Sequence, residues 1–352
     1  MKIKRYGFFN EGSEMVLKYS CFDWDDNILR MPTKINMEKN EDGNWTPISI
    51  STSHFAEVRG DKENWRLGKD PFIEFSDNGP RGESAFLQDM KVSIGESKYP
   101  DPPNRIAPSW FQFIDTLIRG ELFAIITARG HGPNSIRKAI EWIIENYLGP
   151  EQKRQMYNNC LSFYYVFKRP GKFEPNFDRI TDHPIVKEWL DHCGYYGVSN
   201  PDFISKNKSG GADSPEKGKE IAIKEFISKG AKFASEVGAS FKAGMSDDDM
   251  KNVMHMKSVL SELKKLYPDS ELTLFDTSGG GYKKTDITES SNQATGMESS
   301  IIPFSQYNSI QSRLFPSSDD SKDPIKLSHN LAVDHIQKNV NPILKKSRRR
   351  RK

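Results

Sequence analysis

Hydrophobic residues in the first 278 positions fall into short runs separated by helical patterns. Helical periodicity is predicted over 135–147, 214–228 and 248–266. The apolar runs have the length of buried parallel strands, and they cover 16–22, 121–127, 195–199, 240–246 and 271–277. Strands that alternate with helices predict an α/β fold built on a parallel sheet with right-handed crossovers.

Two stretches, 30–108 and 148–193, interrupt this alternation and exceed ordinary loop lengths. We predict that both are insertions with structure of their own. Insertions at the carboxyl edge of such a sheet commonly cover an active site. The first holds four aromatic residues that either stack on a substrate ring or pack a small core of the insertion: Trp45, Trp65, Phe72 and Phe75.

Composition changes near residue 278, where three glycines are followed by a stretch rich in Ser, Thr, Asn and Gln. Such a segment buries too little apolar surface to offset the entropy lost on ordering. We therefore predict a folded domain over 1–278 and mostly disordered residues over 279–352, with a short helix around 329–340. The core of the domain is expected in about 1–30, 109–147 and 194–278.

The sequence argues against a membrane-spanning or secreted protein. No apolar run approaches the roughly 20 residues of a membrane helix, and the N-terminus lacks the apolar run of a signal peptide. The three cysteines form no CxxC pair, which fits a reducing compartment. We expect a cytoplasmic protein that does not bind membranes, or a nuclear one if the source has a nucleus.

The net charge of +3 is unevenly distributed, because seven of the last eight residues, Lys345–Lys352, are basic. The remainder of the chain is therefore mildly acidic. Three interpretations of this tail stay open: a solvated end that aids solubility, a segment that binds nucleic acid or another polyanion, and a nuclear address.

Two polar groups follow predicted strands in the first half of the chain. Asp23 and Asp25 are two residues apart at a strand end, where one can ligate a cation or attack phosphorus while the other transfers a proton. Solvated loop acids are the simpler alternative. Thr127, Ala128 and Arg129 offer a hydroxyl and backbone N–H groups suited to phosphate oxygens, although a plain turn has the same residues.

Two further groups lie in the second half. Lys217 falls in the first turn of a predicted helix, where a surface lysine is the ordinary interpretation, and Lys219 and Lys224 beside it are predicted to be solvated. Asp247 and Asp248 begin a run of three acids at a strand end. Their mutual repulsion favours a bound cation, although an acidic helix N-terminus is also favoured by the helix dipole.

The order of these groups resembles the haloacid dehalogenase superfamily of phosphotransferases. The DxDx(T/V/N) motif matches Asp23, Asp25 and Asn27, and the hydrophobic strand that ends in Thr or Ser matches Thr127. The family lysine is matched to Lys217. The acidic motif DDxxxN matches Asp247, Asp248 and Asn252. This resemblance implies a doubly wound, Rossmann-like sheet with cap-type insertions, and it covers neither the insertions nor the tail.

The resemblance also implies a reaction. Asp23 would attack phosphorus and form an aspartyl-phosphate, and Asp25 would protonate the leaving oxygen and then activate water. Mg²⁺ would bind Asp23, the Asp25 backbone carbonyl and Asp247, and Asp248 would either be a further ligand through water or hold Lys217. The phosphoryl group would be bound by Thr127, Ala128, Arg129 and Lys217.

We therefore predict a Mg²⁺-dependent phosphohydrolase that acts on a phosphomonoester of a small metabolite, a nucleotide or a polynucleotide end. Arg129 and His131 are expected near the substrate, although His131 alternatively caps its loop. Two other functions stay open. One is a non-catalytic scaffold or nucleic-acid-binding protein that uses the insertions and the tail, and the other is a phosphotransferase whose acceptor is not water.

Overall fold

The computed structural model describes residues 16–95, 105–167, 175–212, 214–288 and 301–302. The basic tail and the helix predicted around 329–340 lie outside these residues. Ten strands are described: β1 Val16–Phe22, β2 Ile35–Glu41, β3 Asn44–Ile50, β4 Trp65–Leu67, β5 Leu122–Thr127, β6 Gly194–Gly197, β7 Ser240–Asp247, β8 Glu271–Asp276, β9 Tyr282–Ile287 and β10 Ile301–Ile302.

Nine α-helices are described in the same ranges: α1 Thr52–Val58, α2 Ala85–Ile94, α3 Trp110–Ile118, α4 Pro133–Trp142, α5 Pro150–Phe167, α6 Pro184–His192, α7 Pro201–Lys206, α8 Pro215–Val237 and α9 Met250–Leu266. Short 3₁₀ helices cover Ile73–Phe75, Gly82–Ser84, Phe177–Asp182 and Lys208–Gly210, and a π-helical turn follows α4 at Ile143–Tyr147. Within the described ranges, no helix is both long enough and apolar enough to cross a membrane.

The main sheet has the strand order β10-β9-β8-β7-β1-β5-β6. All neighbours from β8 to β6 are parallel, and β9 pairs antiparallel with β8. Every residue of β5 is buried, which requires packing on both faces of the sheet. The predicted α/β class with a mostly parallel central sheet is therefore confirmed, and the five predicted strands correspond to β1, β5, β6, β7 and β8.

The sheet continues beyond the boundary predicted at residue 278. Tyr282–Ile287 forms β9, so the expectation of disorder is wrong for these residues. Four of its six residues are the consecutive polar residues KKTD, and the strand pairs with β8 while Ile287 is buried in the main core. Strand β9 lies near the edge of the sheet, with the two-residue β10 beyond it, and its side chains are mostly in contact with solvent. Composition alone missed it because such a strand needs few apolar residues.

The first insertion forms its own small layer. Strands β2, β3 and β4 pair antiparallel in the order β3-β2-β4. A separate cluster of Ile35, Met37, Ile50 and Phe75 is packed by Phe55, Val58 and Trp65. Trp65 and Phe75 therefore pack the core of the insertion, whereas Phe72 is 41% exposed.

The second predicted insertion is part of the main domain. Residues of α5 and α6, including Cys160, Val186 and Trp189, are buried in the same core as the sheet. The Trp189 indole also donates to the carbonyl of Glu121, just before β5. The described residues of 148–193 thus supply helices to the main core, and among them no second small core like that of 30–108 is seen.

Candidate active site

Asp23 and Asp247 lie side by side at the carboxyl ends of β1 and β7. Phe22 is opposite Ser246 in the parallel pair, and the N–H of Asp23 donates to the carbonyl of Ser246 at 3.0 Å. Strands β5 and β6 lie on one side of β1 in the sheet, and β7 and β8, which come later in the chain, lie on the other side. Strand order therefore reverses between β1 and β7, the position at which open α/β sheets bind ligands.

A lysine joins the two aspartates, and it is Lys219. Its Nζ lies 3.0 Å from Asp23 Oδ1 and 2.9 Å from Asp247 Oδ2, and the residue is 4% exposed. The prediction that Lys217 takes this position is corrected: Lys217 donates to Glu220 at 2.9 Å and its side chain is 42% exposed. Burial by itself lowers the pKa of Lys219, but the two carboxylates raise it overall.

Asp248 completes a cluster of three acids. Asp23, Asp247 and Asp248 each offer an oxygen within 4.8 Å of the others. Burial raises the pKa of Asp23 to about 8, with Asp247 and Asp25 adding to the shift and Lys219 opposing it. Burial also raises the pKa of Asp248 to about 9, and Asp23 and Asp247 reinforce the effect. Lys219 compensates only one of three charges, so the cluster favours protons or a cation.

Residues at the start of α9 fix Asp247. The N–H of Asp249 donates to Asp247 Oδ1 at 2.9 Å, and the Asn252 side chain donates to the same oxygen at 3.2 Å. Asp249 also accepts from the N–H of Lys251 at 3.0 Å and so caps the helix. The DDxxxN spacing therefore gives two carboxylates to the cluster, Asp247 and Asp248. Asp249 and Asn252, which follow them, orient the first.

Asp25 is paired with Arg129. The guanidinium donates to both carboxylate oxygens, from Nε at 2.8 Å and from Nη2 at 2.7 Å. Nη2 also donates to Thr33 at 2.8 Å, and Thr33 in turn donates to Asp89. Arg129 is 1% exposed and lies 4.4 Å above the Phe75 ring, yet its Nη1 has no partner among the described residues.

Thr127 is the last residue of β5, the strand next to β1, and Ala128 follows it. Thr127 is buried, and its hydroxyl accepts from the N–H of Arg129 at 3.3 Å. Ala128 is exposed. These positions bring Thr127 and Arg129 to the same sheet edge as Asp23, as predicted from the strand order.

Further polar contacts join the first insertion to this edge. Thr52 donates to Asp26 at 2.6 Å, Arg59 pairs with Asp249 at 2.5 Å, and Asp77 binds the loop after β5. In the last contact, His131 Nδ1 and the Gly132 N–H lie 2.9 and 2.7 Å from the two oxygens of Asp77.

His131 is fully buried under the insertion. Burial, reinforced by Arg129, lowers its pKa, whereas Asp77 opposes the shift. The sequence offered no signal for the insertion residues Thr33, Thr52, Arg59 and Asp77, because their partners are distant in the chain.

Without metal, the protein is expected to lose stability as the pH rises from about 7 to about 9. The ordinary pKa of an aspartate, 3.8, is raised to about 8 for Asp23 and about 9 for Asp248 in the folded state. In this window the folded protein holds protons that the unfolded chain has lost, so the free energy of unfolding falls by up to about 1.4 kcal/mol per pH unit and group. Added Mg²⁺ should flatten this dependence because it replaces the protons.

Calorimetric melting at several pH values, in EDTA and in Mg²⁺, measures both slopes. A metal-free melting temperature that stays level or increases between pH 7 and 9 would contradict the assignment of these two carboxyl groups.

A scan against protein-family models, a search of curated proteins and a search of solved structures each found no match to this chain.

Proposed function

We propose that this protein is a Mg²⁺-dependent phosphohydrolase that cleaves phosphomonoesters through an aspartyl-phosphate on Asp23. One observation carries the proposal: Lys219 bridges Asp23 and Asp247 at the switch point of the sheet, with Asp248 beside them. A buried nucleophilic carboxylate, a cation for phosphoryl charge and spare acids for a metal are the groups that phosphoryl transfer needs.

The donor set fits Mg²⁺. Three carboxylates supply the hard oxygen ligands that this ion prefers, and Lys219 leaves two of their three negative charges uncompensated. Asp23, Asp247 and Asp248 would hold the ion, with water in the remaining positions. When bound, Mg²⁺ would offset the repulsion between the Asp23 carboxylate and the phosphate oxygens.

In the first step, an Asp23 carboxylate oxygen bonds to phosphorus and the ester P–O bond breaks. The leaving oxygen takes a proton from the carboxyl group of Asp25. Because Arg129 occupies both oxygens of Asp25 here, one of these hydrogen bonds has to exchange for the substrate. Lys219 offsets the charge that grows on the phosphoryl oxygens.

In the second step, water attacks phosphorus and the bond to Asp23 breaks. Asp25 takes the water proton, which restores its acid form, and inorganic phosphate leaves. Thr127 and Arg129 are proposed to bind the phosphoryl oxygens in both steps. We likewise propose that the chain belongs to the haloacid dehalogenase superfamily, because the motifs at Asp23, Thr127 and Asp247 occur in the order of that family.

One observation favours a second candidate, a non-catalytic scaffold with the same fold. Asp25 is fully engaged by Arg129, and the insertion contacts Asp26 and Asp249, so the site is closed in this state. A scaffold would keep such a closed arrangement permanently, whereas an enzyme has to open it.

Phosphate release from a panel of phosphomonoesters, including 5′- and 3′-phosphorylated oligonucleotides, separates these candidates. We expect release in Mg²⁺ and a loss of at least about 100-fold in EDTA, since the carboxylate and the phosphate then repel each other. Folding of the metal-free protein is checked by circular dichroism at the same pH. A folded, Mg²⁺-bound protein that releases no phosphate from any substrate would favour the scaffold.

A further inference from the structure

The Asn27 side chain is fully buried and uses its whole hydrogen-bonding capacity. Its Nδ2 donates to the carbonyl of Asp23 at 3.0 Å, to Ser246 Oγ at 2.9 Å and, more weakly, to the Ser246 carbonyl at 3.3 Å. Its Oδ1 accepts from Ser109 at 2.7 Å and from Thr277 at 2.8 Å. An amide offers two N–H donors and two lone pairs, and all of them are used.

These partners belong to different segments that meet at the candidate site. Asp23 follows β1, Ser246 precedes Asp247 on β7, and Thr277 follows β8. The Thr277 N–H also donates to the carbonyl of Asp247 at 3.1 Å. The Asn27 amide thus ties the carboxyl ends of three adjacent parallel strands, and two of those ends carry acids of the cluster.

We infer that Asn27 is a positioning residue that sets the spacing of the Asp23 and Asp247 carboxylates. Ser109 and Thr277 fix the orientation of its amide by donating to its oxygen. An aspartate at this position would place a carboxylate oxygen, which can only accept, against the Asp23 carbonyl oxygen, which is also an acceptor. Leucine would leave the Ser109 and Thr277 hydroxyls without an acceptor in a buried site. An amide satisfies both sides at once, so the residue type follows from the contacts.

This inference rests on the proposed function, but its test measures Mg²⁺ binding by the three-acid cluster and does not require that the protein turn over a substrate. Thr277→Val removes one donor to Asn27 with little change in volume. We expect it to weaken Mg²⁺ binding by about 10-fold, and Ser109→Ala/Thr277→Val to weaken it further, as loss of outer-shell partners does in other metal sites. Titration calorimetry with Mg²⁺ alone gives the affinity, and thermal melting in EDTA gives the stability.

Thr273→Val is the matched control, because Thr273 lies on β8 and donates to Asp286 on β9, away from Asn27. It should leave Mg²⁺ affinity unchanged. A purely structural role for Asn27 predicts a lower melting temperature in Thr277→Val with Mg²⁺ affinity within twofold of wild type, and that result overturns the inference. So does a wild-type protein that binds no Mg²⁺.

The phosphohydrolase proposal can be refuted independently of the inference on Asn27. The wild-type protein could bind Mg²⁺ and release no phosphate, while Thr277→Val still weakens Mg²⁺ binding. That result would refute the proposed function and support the positioning role. Turnover with unchanged affinity in both hydroxyl variants would support the proposed function and overturn the positioning role.

Discussion

Asp23→Asn is expected to lower phosphate release by at least roughly 10⁴-fold while the protein stays folded. The substitution keeps the size and shape of the side chain, and its carbonyl oxygen can still accept the hydrogen bond that Lys219 makes at 3.0 Å. It removes the anionic oxygen that attacks phosphorus, so the covalent intermediate has no site on which to form. Release is measured at saturating Mg²⁺, because losing one acid also weakens the metal site.

Asp269→Asn is the matched control, since Asp269 is exposed in the turn before β8. It should behave as wild type. Residual release above about 1% of wild type in Asp23→Asn would mean that water attacks phosphorus directly, without a covalent intermediate. Binding of a partner that survives Asp23→Asn unchanged, together with no turnover in wild type, would instead favour the scaffold.

The five parallel strands were predictable because each is an apolar run bounded by polar residues. Burial on both faces leaves such strands little freedom in composition, as in β5, where all six residues are buried. The convergence of Asp23, Thr127 and Asp247 followed from the same logic, since parallel strands end at one edge. Strand β9 lacked this signal because it is mostly polar and, with the two-residue β10 beyond it, lies near the edge of the sheet, where most of its side chains contact solvent.

Contacts between the insertion and the core were not predictable from local patterns. Arg59 pairs with Asp249 across 190 positions, and Thr52 with Asp26 across 26. Neither pair has a spacing that helix or strand geometry fixes. The engagement of Asp25 by Arg129 is of the same kind, and it changes the chemistry: the proposed proton donor has no free oxygen until the site opens.

The choice between Lys217 and Lys219 was decidable from helical periodicity, which the prediction did not apply. The buried residues of α8 include Lys219, Ala222, Ile223, Phe226 and Gly230, which recur at three- and four-residue intervals. A lysine on that stripe faces the sheet. Lys217 falls off the stripe and pairs with Glu220.

Lys219→Met and Lys217→Met are therefore expected to differ sharply. Methionine keeps the unbranched length of lysine and removes the charge. At Lys219 it should lower kcat/KM by roughly 10²–10³-fold, because one donor to the phosphoryl oxygens is lost from a buried site. It should also destabilise the metal-free protein by about 3 kcal/mol at high pH, where the buried Asp23 and Asp247 carboxylates are left unpaired.

At Lys217 the same substitution should change kcat/KM by less than about threefold and the free energy of unfolding by less than about 1 kcal/mol, because Lys217 is half-exposed and Glu220 keeps Lys224 as a partner. Denaturant unfolding in EDTA and steady-state kinetics in Mg²⁺ give both quantities for both variants. The destabilisation in Lys219→Met should shrink at lower pH, since a protonated Asp23 carboxyl group needs no counter-ion. A Lys217→Met protein that loses turnover while Lys219→Met retains it would return the catalytic role to the first turn of α8 and remove the observation on which the proposed function rests.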